Sequence, residues 1–507
     1  MVSPTQPAGP DLPDLLYTSA EVRTVDQFAI NRQGIPGIEL MERAGTAAFD
    51  AIRVRWPDAR TLSVVCGSGN NGGDGYIVAR LAHQQGWDVR AFPATAPDAL
   101  KGDARQAWLH YREAGGELLN FMPEDFEGAE VVVDALLGTG LDREVSGPYA
   151  NIIQAINRYR GRVARERGIA AIDIPSGLNA DTGAIMGHAV KADLTISFVG
   201  LKRGLFTADG PELSGDIVFN DLGISAQHGV QPSATLLTKP TTQLAKRPRS
   251  AHKGQHGHVL VIGGDLGYSG AARLAAEAAL RVGAGLVSVA TRAAHAANFN
   301  LNCPELMCHA VESAAELKAL LTRATVVAVG PGLGTQDWGR DMFRAALDST
   351  LPLVVDADAL NLLAEQPTFR RNWILTPHPG EAGRLLGIAS ADVQRDRFIA
   401  LASLQNLYGG TVVLKGSGSL IQHDREIPAV CPLGNPGMAT GGMGDVLTGI
   451  IAGLIAQKLD LPQAARVGVW LHAAAGDLAA RNGERGLLAS DLFEPLRTLA
   501  NSPDISP

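Results

Sequence analysis

Short apolar runs alternate with amphipathic segments along most of the chain. A helix is predicted after Thr18, where Thr18 and Glu21 form a capping box and apolar residues recur on one face. Five runs of strand length follow in the first half, separated by helical or Gly-rich segments, at 61–66, 88–92, 131–135, 169–174 and 194–198. Strands that alternate with helices in this way form a mostly parallel sheet with helices on both faces.

The same alternation restarts after a polar stretch. Residues 238–253 carry basic residues and prolines but no apolar period, which is typical of a solvated linker. Beyond it, strands are predicted at 258–262, 286–290, 325–329, 353–356, 373–375, 411–414 and 419–422, and helices at 271–282, 338–347, 358–364, 446–456 and 463–481. We therefore expect two α/β domains, at 15–237 and 254–503, after a disordered N-terminus at 1–14.

The charge, hydropathy and cysteine content of the chain indicate which kinds of molecule it binds. The chain has 507 residues and a formal net charge of −8 with no basic stripe, which argues against nucleic acid. Its apolar runs are shorter than the roughly 18 residues of a membrane span, and its N-terminus lacks a signal-peptide pattern. Four scattered cysteines without a CxxC pair favour a reducing cytoplasm. Small molecules are the expected partners.

Polar loops end three strands of the first half. They span 67–75, 134–143 and 173–178. In open α/β sheets, ligands bind outside the carboxyl ends of strands, so these loops are expected to share one pocket. The first loop lacks the GxGxxG pattern of dinucleotide folds, and a plain tight turn is the alternative interpretation. Oxygen donors at Asn71, Asp134 and Ser176 favour a hard cation rather than zinc.

The second half shows a similar arrangement of loops. Gly- or Pro-rich loops follow its strands at 263–271, 330–334 and 376–381. His378 stands between two prolines, which hold it stiffly and argue against a core position. The small residues of 415–419 would let a nucleotide lie against the backbone, although a hairpin turn is the alternative interpretation.

The stretch 435–449, NPGMATGGMGDVLTG, is the most specific motif in the chain. Successive glycines before a helix form an anion-binding nest, and Asp445 lies at the start of that helix. A carboxylate beside a phosphate would repel it, so we expect Asp445 to act as general base on a hydroxyl that attacks phosphorus. The structural alternative is a helix N-cap, and both roles can hold at once.

These motifs resemble the carbohydrate-kinase-like family that repairs hydrated nicotinamide cofactors. From Gly263 to Asp491 the chain is similar to ADP- or ATP-dependent NAD(P)H-hydrate dehydratases, and from Tyr17 to about Gly223 it is similar to NAD(P)H-hydrate epimerases. The fused order fits the bifunctional repair enzymes. The resemblance implies a Rossmann-like three-layer sandwich followed by a ribokinase-like three-layer sandwich, with an isomerase and a lyase in one chain. A homo-oligomer is also expected.

For the dehydratase half, the resemblance implies residues that contact the hydrate and residues that hold ADP or ATP. The hydrate contacts are Ala271, Gly332, His378 and Asp445. The nucleotide contacts are Lys415, Gly416, Ser417, Gly418, Ser419 and Gly444. Asp445 would activate the ring hydroxyl for phosphorylation, and the phosphate ester would then eliminate to restore NAD(P)H. Mg²⁺ would neutralise the phosphates.

For the epimerase half, the resemblance implies a hydrate site and a potassium site. The hydrate contacts are Asn70, Asn71, Gly72, Gly73, Asp74, Gly138, Thr139, Gly140, Leu141, Asp142, Arg143, Glu144 and Asp173. The potassium ligands are Asn71, Asp134 and Ser176. Asp173 is the first candidate for the proton-transfer group, and Lys202 is the second.

Two other interpretations stay open. An ordinary small-molecule kinase would share the Gly-rich corner around Asp445. The first half could instead be a binding module of the kind found in RNA-decay scaffolds, although the loop at 70–75 and Asp173 argue against this. The preference between ADP and ATP is also open.

Overall fold

The computed structural model describes residues 12–122, 126–160, 167–224, 229–238, 242 and 244–501. The chain divides into two compact units, Met1–Thr235 and Leu236–Pro507. Residues 1–11 of the predicted disordered terminus, 239–241 and 243 of the predicted linker, and 502–503 of the predicted second domain lie outside the described residues. Within the described residues, no helix is long and apolar enough to cross a membrane.

Unit 1 is built around a parallel sheet. The strands in it and at its end are β1 (Leu15–Tyr17), β2 (Thr61–Cys66), β3 (Asp88–Pro93), β4 (Val131–Ala135), β5 (Gly168–Ile172), β6 (Leu194–Phe198), β7 (Leu201–Lys202), β8 (Asp216–Asn220) and β9 (Ala234–Leu236). Six of them pair in the order β3-β2-β4-β5-β6-β8, and every pairing is parallel. Outside that sheet, β1 pairs parallel with β7 and antiparallel with β9.

Helices cover both faces of the unit 1 sheet. They are α1 (Ser19–Arg32), α2 (Gly37–Arg55), α3 (Asn70–Gln84), α4 (Gly102–Glu113), α5 (Gly147–Arg160) and α6 (Gly210–Ser214). Alternate residues of β2 enter two separate cores: Leu62 and Val64 pack with α2, α3 and α4, while Val65 packs with α5. A strand with both faces buried needs apolar residues at nearly every position, which explains the continuous apolar runs in the sequence.

Unit 2 contains a larger, mostly parallel sheet. Its strands are β10 (His258–Ile262), β11 (Leu286–Thr291), β12 (Met307–Ala310), β13 (Val326–Val329), β14 (Leu353–Val355), β15 (Trp373–Leu375), β16 (Thr411–Leu414), β17 (Ser419–His423) and β18 (Ala429–Cys431). Their order is β12-β11-β10-β13-β14-β15-β16-β17-β18. Pairings from β12 through β16 are parallel, whereas β17 runs antiparallel to β16 and β18.

The helices of unit 2 also bury both faces of its sheet. They are α7 (Ser269–Val282), α8 (Ala293–Ala296), α9 (Ala314–Leu321), α10 (Asp337–Leu347), α11 (Ala357–Glu365), α12 (Pro379–Leu386), α13 (Ser390–Arg395), α14 (Arg397–Tyr408), α15 (Met443–Ala456), α16 (Leu461–Ala479) and α17 (Phe493–Ala500). In β10, Val259 and Val261 pack with α7, α15 and α16, and Leu260 is equally buried on the other face. The predicted fold class, two α/β units with parallel-rich sheets, is confirmed.

Close packing fixes the position of α15. Gly449 lies against α7, where an added Cβ would stand 1.9 Å from the Ala275 carbonyl oxygen. Because the two helix backbones approach this closely, the N-terminus of α15 is held rigidly above the sheet's core. That N-terminus carries the Gly-rich motif, so its geometry is set by the interior of the unit.

Candidate active sites

The carboxyl ends of strands in unit 1 open onto one cavity of about 540 Å³. The loops after β2 and β4 are in close contact. A Cβ added to Gly67 would lie 1.9 Å from the Leu136 carbonyl oxygen, so only glycine allows this approach. Most of the predicted hydrate contacts line the cavity: Asn70, Asn71, Asp74, Gly138, Thr139, Gly140, Leu141, Asp142, Arg143 and Asp173. Lys202, the second candidate for proton transfer, lines it as well.

Three of the predicted hydrate contacts are placed elsewhere. Gly72 and Gly73 pack within the first turn of α3, where added Cβ atoms would lie 2.1 Å from Gly67 O and 2.5 Å from Met41 Sδ. Glu144 is exposed and lies outside the described wall of the cavity. The two glycines therefore let α3 pack closely, and direct contact of these three residues with a ligand stays a prediction.

Asn71, Asp134 and Ser176 form a connected group of oxygen atoms. The buried Asp134 carboxylate accepts hydrogen bonds from Ser176 N at 2.8 Å and Ser176 Oγ at 2.5 Å. Asn71 Nδ2 donates to the Leu137 carbonyl oxygen at 3.0 Å, and Ser176 Oγ accepts from Leu137 N at 2.7 Å. Among the described residues, the buried Asn71 Oδ1 has no hydrogen-bond partner. A buried carboxylate near an unsatisfied amide oxygen fits a bound cation.

Burial also sets the charge state of this group. It raises the pKa of Asp134 to about 6, against the lowering effect of the hydrogen bonds from Ser176 and Leu136. A nearby cation would favour the charged carboxylate and so oppose the effect of burial.

Asp173 and Lys202 form an ion pair at the cavity wall. Asp173 follows β5 with φ of 64°, a left-handed conformation that is costly for a residue with a side chain. Its Oδ1 accepts hydrogen bonds from Lys202 Nζ and, at 3.2 Å, from Phe198 N. Lys202 is almost fully buried, and its Nζ also donates to Phe198 O at 2.8 Å and Ser197 Oγ at 3.3 Å. The strained aspartate is thus held beside a fixed ammonium.

Two further carboxyl groups line the same cavity. Burial raises the pKa of Asp74 well above its usual range, and the charges of Asp173 and Asp26 add to this effect. Burial and the charge of Asp173 likewise raise the pKa of Asp26 to about 6, while Lys202 and Arg23 lower it. The sequence analysis missed Asp26. The sequence pattern that could have indicated Asp26 is its position four residues after Val22, which places a carboxylate on the buried face of helix α1.

In unit 2, the Gly-rich motif forms the N-terminus of α15. Gly442 is the N-cap, with φ of 94°, and the cap has no side-chain hydrogen bond. The structural alternative for Asp445, a helix N-cap, is therefore wrong: the helix begins at Met443, and Asp445 lies in its first turn. A left-handed glycine followed by free N–H groups creates a concave anion site.

Gly444 keeps this anion site open. A Cβ added there would lie 3.2 Å from Lys415 Nζ and 3.6 Å from an Asp356 carboxylate oxygen. Lys415 and Asp356 are joined by a 2.7 Å hydrogen bond, and Lys415 Nζ is 3.8 Å from Glu381. Burial lowers the pKa of Lys415, but the charges of Asp356 and Glu381 outweigh this and raise it. The ammonium therefore stays charged beside the helix N-terminus.

Asp445 shares this environment. Burial raises its pKa to about 7, and the charge of Asp356 adds to the rise while that of Lys415 opposes it. Asp358 also raises the pKa of Asp445. A carboxylate with this pKa can both take and release a proton near neutral pH, which is the property of a general base.

His378 caps α12 with its own side chain. Nδ1 accepts from Gly380 N at 3.0 Å and Glu381 N at 3.4 Å, and the Glu381 carboxylate accepts from His378 N at 2.8 Å. Since Nδ1 is an acceptor here, Nε2 carries the proton of the neutral ring. Burial, Lys415 and Arg384 lower the pKa of His378, which favours that neutral form. The ring is half-exposed, and its Nε2 lies 3.4 Å from Glu381 Oε1.

Residues 415–419 form the turn between β16 and β17, so the hairpin expected as an alternative is present. Gly416 has φ of 139°, and Ser419 Oγ donates to its carbonyl oxygen at 3.1 Å. Arg397 is fully buried and donates to the carbonyls of Leu414 at 3.1 Å, Lys415 at 3.3 Å and Gly418 at 3.4 Å. The sequence analysis missed this arginine, which shapes the turn from within.

Ala271 and Gly332 are also brought together. Gly332 has φ of 58°, and a Cβ added to it would lie 3.3 Å from Ala271 Cβ and 2.6 Å from Tyr268 O. The same loop reaches the Asp445 region through Asp358, whose Oδ2 accepts from Gly334 N at 2.9 Å. Ala271, at the start of α7, thus lies against Gly332, in the loop that follows β13.

Two family models match the chain. Residues 37–204 match the YjeF-related protein N-terminus, and residues 259–498 match NAD(P)H-hydrate dehydratase. A bifunctional NAD(P)H-hydrate repair enzyme Nnr from Coxiella burnetii is 51% identical over 494 residues, covering 96% of this chain and 99% of the relative. The protein of the same name from Escherichia coli is 43% identical over 504 residues, covering 98% and 95%.

A solved structure is similar to half of the chain. It is an ADP/ATP-dependent NAD(P)H-hydrate dehydratase from Bacillus subtilis co-crystallized with ATP/Mg²⁺, at 29% identity and a TM-score of 0.47, covering 51% of this chain and 93% of that one. The two α/β units, one with a cavity lined by carboxyl groups and one with an anion nest beside Asp445, are those of a two-domain enzyme. The chain belongs to the family of bifunctional NAD(P)H-hydrate repair enzymes.

Proposed function

We propose that the chain repairs hydrated NADH and NADPH in two steps. Unit 1 interconverts the R and S hydrates, and unit 2 dehydrates the S hydrate to NAD(P)H at the expense of ADP or ATP. The observation that carries the proposal is the pairing of Asp445, whose pKa is raised to about 7, with an open anion nest and Lys415. A base beside a phosphate site starts a phosphoryl transfer.

The chemistry of the substrate explains why two units are needed. Water adds to the enamine double bond of a dihydronicotinamide so that the hydroxyl ends on the ring carbon beside nitrogen. That carbon becomes a stereocentre, and both epimers form. A site with one fixed base, such as Asp445, accepts a single epimer. The epimerase therefore converts the other epimer into the one that the dehydratase accepts.

The dehydratase step begins at the hydroxyl group. Asp445 takes its proton as the oxygen attacks the terminal phosphorus of the nucleotide, and the shortened nucleotide leaves. Lys415 and the N–H groups at the start of α15 stabilise the charge on the phosphoryl oxygens. The phosphate ester then loses inorganic phosphate from one ring carbon and a proton from the next, which restores the double bond. Mg²⁺, bound with the nucleotide, would neutralise phosphate charge.

The remaining predicted contacts fit this assignment. His378 would donate from Nε2 to the hydrate, and Ala271 and Gly332 would leave room for the ring because neither carries a large side chain. The nucleotide would lie along residues 415–419 and against Gly444. The left-handed glycines of this region allow its backbone to approach a ligand closely.

In unit 1, Asp173 is the first candidate for moving the proton, and Lys202 is the second. Their ion pair lies at the wall of a cavity that most of the predicted hydrate contacts line. Asn71, Asp134 and Ser176 would hold K⁺, which would supply a fixed positive charge to the hydrate. The unsatisfied Asn71 Oδ1 supports this assignment. The scattered cysteines support a cytoplasmic location, and the net charge of −8 supports small-molecule substrates rather than nucleic acid.

The decisive experiment follows NADH absorbance while the protein is incubated with hydrated NADH and either ADP or ATP. Recovery with at least one nucleotide is expected, and failure with both would contradict the dehydratase assignment. A stable phosphorylated product without recovered NADH would identify an ordinary small-molecule kinase instead. In parallel, one purified epimer is incubated without nucleotide, and its conversion to the other is followed by chromatography. No conversion would favour a binding module.

A further inference from the structure

Inversion at the hydroxyl-bearing carbon requires a group that donates a proton and a group that accepts one, which a single base does not provide. The hydroxyl must leave from one face of the ring and water must add to the other. The leaving oxygen needs a proton, and the incoming water must lose one. Two proton-transfer groups, approaching from different walls, are therefore required for efficient inversion in both directions. The need for two groups rests on the proposed epimerase function of unit 1.

The Asp173–Lys202 pair supplies one such group from the sheet side of the cavity. Helix α1 forms a different wall, and Asp26 lines the cavity from that helix. The helix is held close to the pair: a Cβ added to Gly200 would lie 3.3 Å from Val22 Cγ2. Asp26 is four residues beyond Val22, so it lies one turn further along the same face.

Asp26 belongs to a cluster with more carboxyl groups than cationic partners. Three carboxyl groups, Asp26, Asp74 and Asp173, interact with the single buried ammonium of Lys202. If all three were ionised, the cluster would carry an excess of two negative charges in a partly buried cavity, so at least one retains its proton near neutral pH. Arg23 faces Asp26 from α1, and Asp103, Asp142 and Arg143 line the same cavity.

We propose that Asp26 is the second proton-transfer residue of the epimerase, working with Asp173 from the wall formed by α1. Asp26 donates its proton to the ring hydroxyl, the carbon–oxygen bond breaks, and water leaves as the nitrogen lone pair forms a carbon–nitrogen double bond. A second water attacks that carbon from the other face and gives its proton to Asp173. One water leaves and one enters, so the product is the epimer, and one proton has moved from Asp26 to Asp173. The reverse direction exchanges the two roles.

Asp74 differs from Asp26 in its place in the fold. It follows the first turn of α3, the helix that carries the proposed K⁺ ligand Asn71, and so does not belong to the wall formed by α1. It is suited to holding a proton, because burial and the charges of Asp173 and Asp26 raise its pKa, and to orienting the hydrate. The assignment therefore predicts different results for the two aspartates.

The test compares Asp26→Asn and Asp26→Glu with Asp50→Asn, an exposed aspartate on α2 with the same change. Interconversion of purified epimers is measured without nucleotide, and folding is checked by circular dichroism and thermal unfolding. We expect Asp26→Asn to lower kcat about 100-fold or more with little change in KM. The residual rate should lose the alkaline limb that deprotonation of Asp26 imposes on the wild type. Asp26→Glu should restore part of the rate, and Asp50→Asn should match the wild type.

A folded Asp26→Asn variant with a near wild-type rate and pH profile would overturn the assignment while leaving the epimerase function standing. The assignment would also fail if Asp74→Asn lowered kcat about 100-fold, Asp74→Glu restored part of it, and Asp26→Asn kept the wild-type kcat. If the wild-type protein does not interconvert the epimers, both the epimerase function and the role of Asp26 are contradicted. In water with a heavy oxygen isotope, each inversion should place one solvent oxygen on the ring. Retention of the original oxygen would contradict the bond-breaking step.

Discussion

Lys415 Nζ lies 2.7 Å from Asp356 Oδ1, and the other Asp356 oxygen accepts a hydrogen bond from the buried Thr448 Oγ1 at 2.8 Å. The lysine comes from the end of β16, the aspartate from the N-cap of α11 and the threonine from α15. Three separate elements thus fix one ammonium beside the helix N-terminus where phosphate is proposed to bind. The same ammonium lowers the pKa of Asp445.

This relationship predicts the pH dependence of the dehydratase. Asp445 acts as a base only when it is deprotonated, so the single-turnover rate of NADH recovery should rise with pH through about 7. Lys415→Met removes a positive charge that favours the carboxylate, so it should move this acid limb to higher pH as well as lower the rate. Asp445→Asn should abolish recovery while nucleotide binding persists.

Measurement of recovery at a series of pH values, with both variants, checks these directions. A limb that stays in place or moves to lower pH in Lys415→Met would contradict the electrostatic coupling. Recovery near the wild-type rate in Asp445→Asn would contradict its role as base.

The glycines of the nest offer a matched pair of variants. A Cβ at Gly444 would lie 3.2 Å from Lys415 Nζ, whereas a Cβ at Gly441 would meet no atom within 4 Å. Gly444→Ala should therefore crowd the phosphate site and raise the KM for nucleotide about 10-fold or more. Gly441→Ala should leave it within about twofold. Equal KM values for the two variants would show that phosphate does not bind at this nest.

The main strands and the loops that follow them could be predicted from sequence, because strands buried on both faces need continuous apolar runs. Edge strands β8 and β12 were missed because they are half-exposed and lack such runs. Helix α2 was missed because it begins after Pro36 without a side-chain cap and its buried face contains small residues, among them Ala44, Gly45 and Ala48.

Some residues of the candidate sites could likewise be predicted from the sequence, and others could not. Gly-rich loops and the aspartates beside them are recognisable because phosphate nests and strand-end carboxylates leave local patterns. Asp26, Thr448 and Arg397 act across elements that are distant in sequence, and each alone is an ordinary helical residue. Their roles depend on which elements pack together, which periodicity does not reveal.

The group formed by Asn71, Asp134 and Ser176, where K⁺ is proposed to bind, predicts that K⁺ raises the unfolding temperature of unit 1. Binding to Asn71 Oδ1 and the Asp134 carboxylate should stabilise the folded unit, so the wild type should unfold at a higher temperature in K⁺ than in tetramethylammonium at equal ionic strength. Asn71→Ala removes a proposed ligand and should abolish that difference. Asn151→Ala, an exposed change on α5, should keep it. The idea fails if the wild type shows no K⁺-dependent shift.

Arg397 predicts a large loss of stability on substitution. Its guanidinium is fully buried, donates to three carbonyls around residues 414–418 and bonds Gln394 at 2.7 Å. Burial lowers its pKa to about 10, so it remains charged at neutral pH. Arg397→Met leaves those carbonyls without the donor and should cost about 3 kcal/mol or more of unfolding free energy.

The matched control for that change is Arg395→Met. Arg395 is exposed and pairs with Asp392 at 2.7 Å within one turn, so its loss should cost about 0.5 kcal/mol or less. Urea unfolding should separate the two variants clearly, and Arg397→Met should also raise the KM for nucleotide because the 415–419 turn loses its internal support. Coincident unfolding curves would mean that the buried guanidinium does not stabilise the turn.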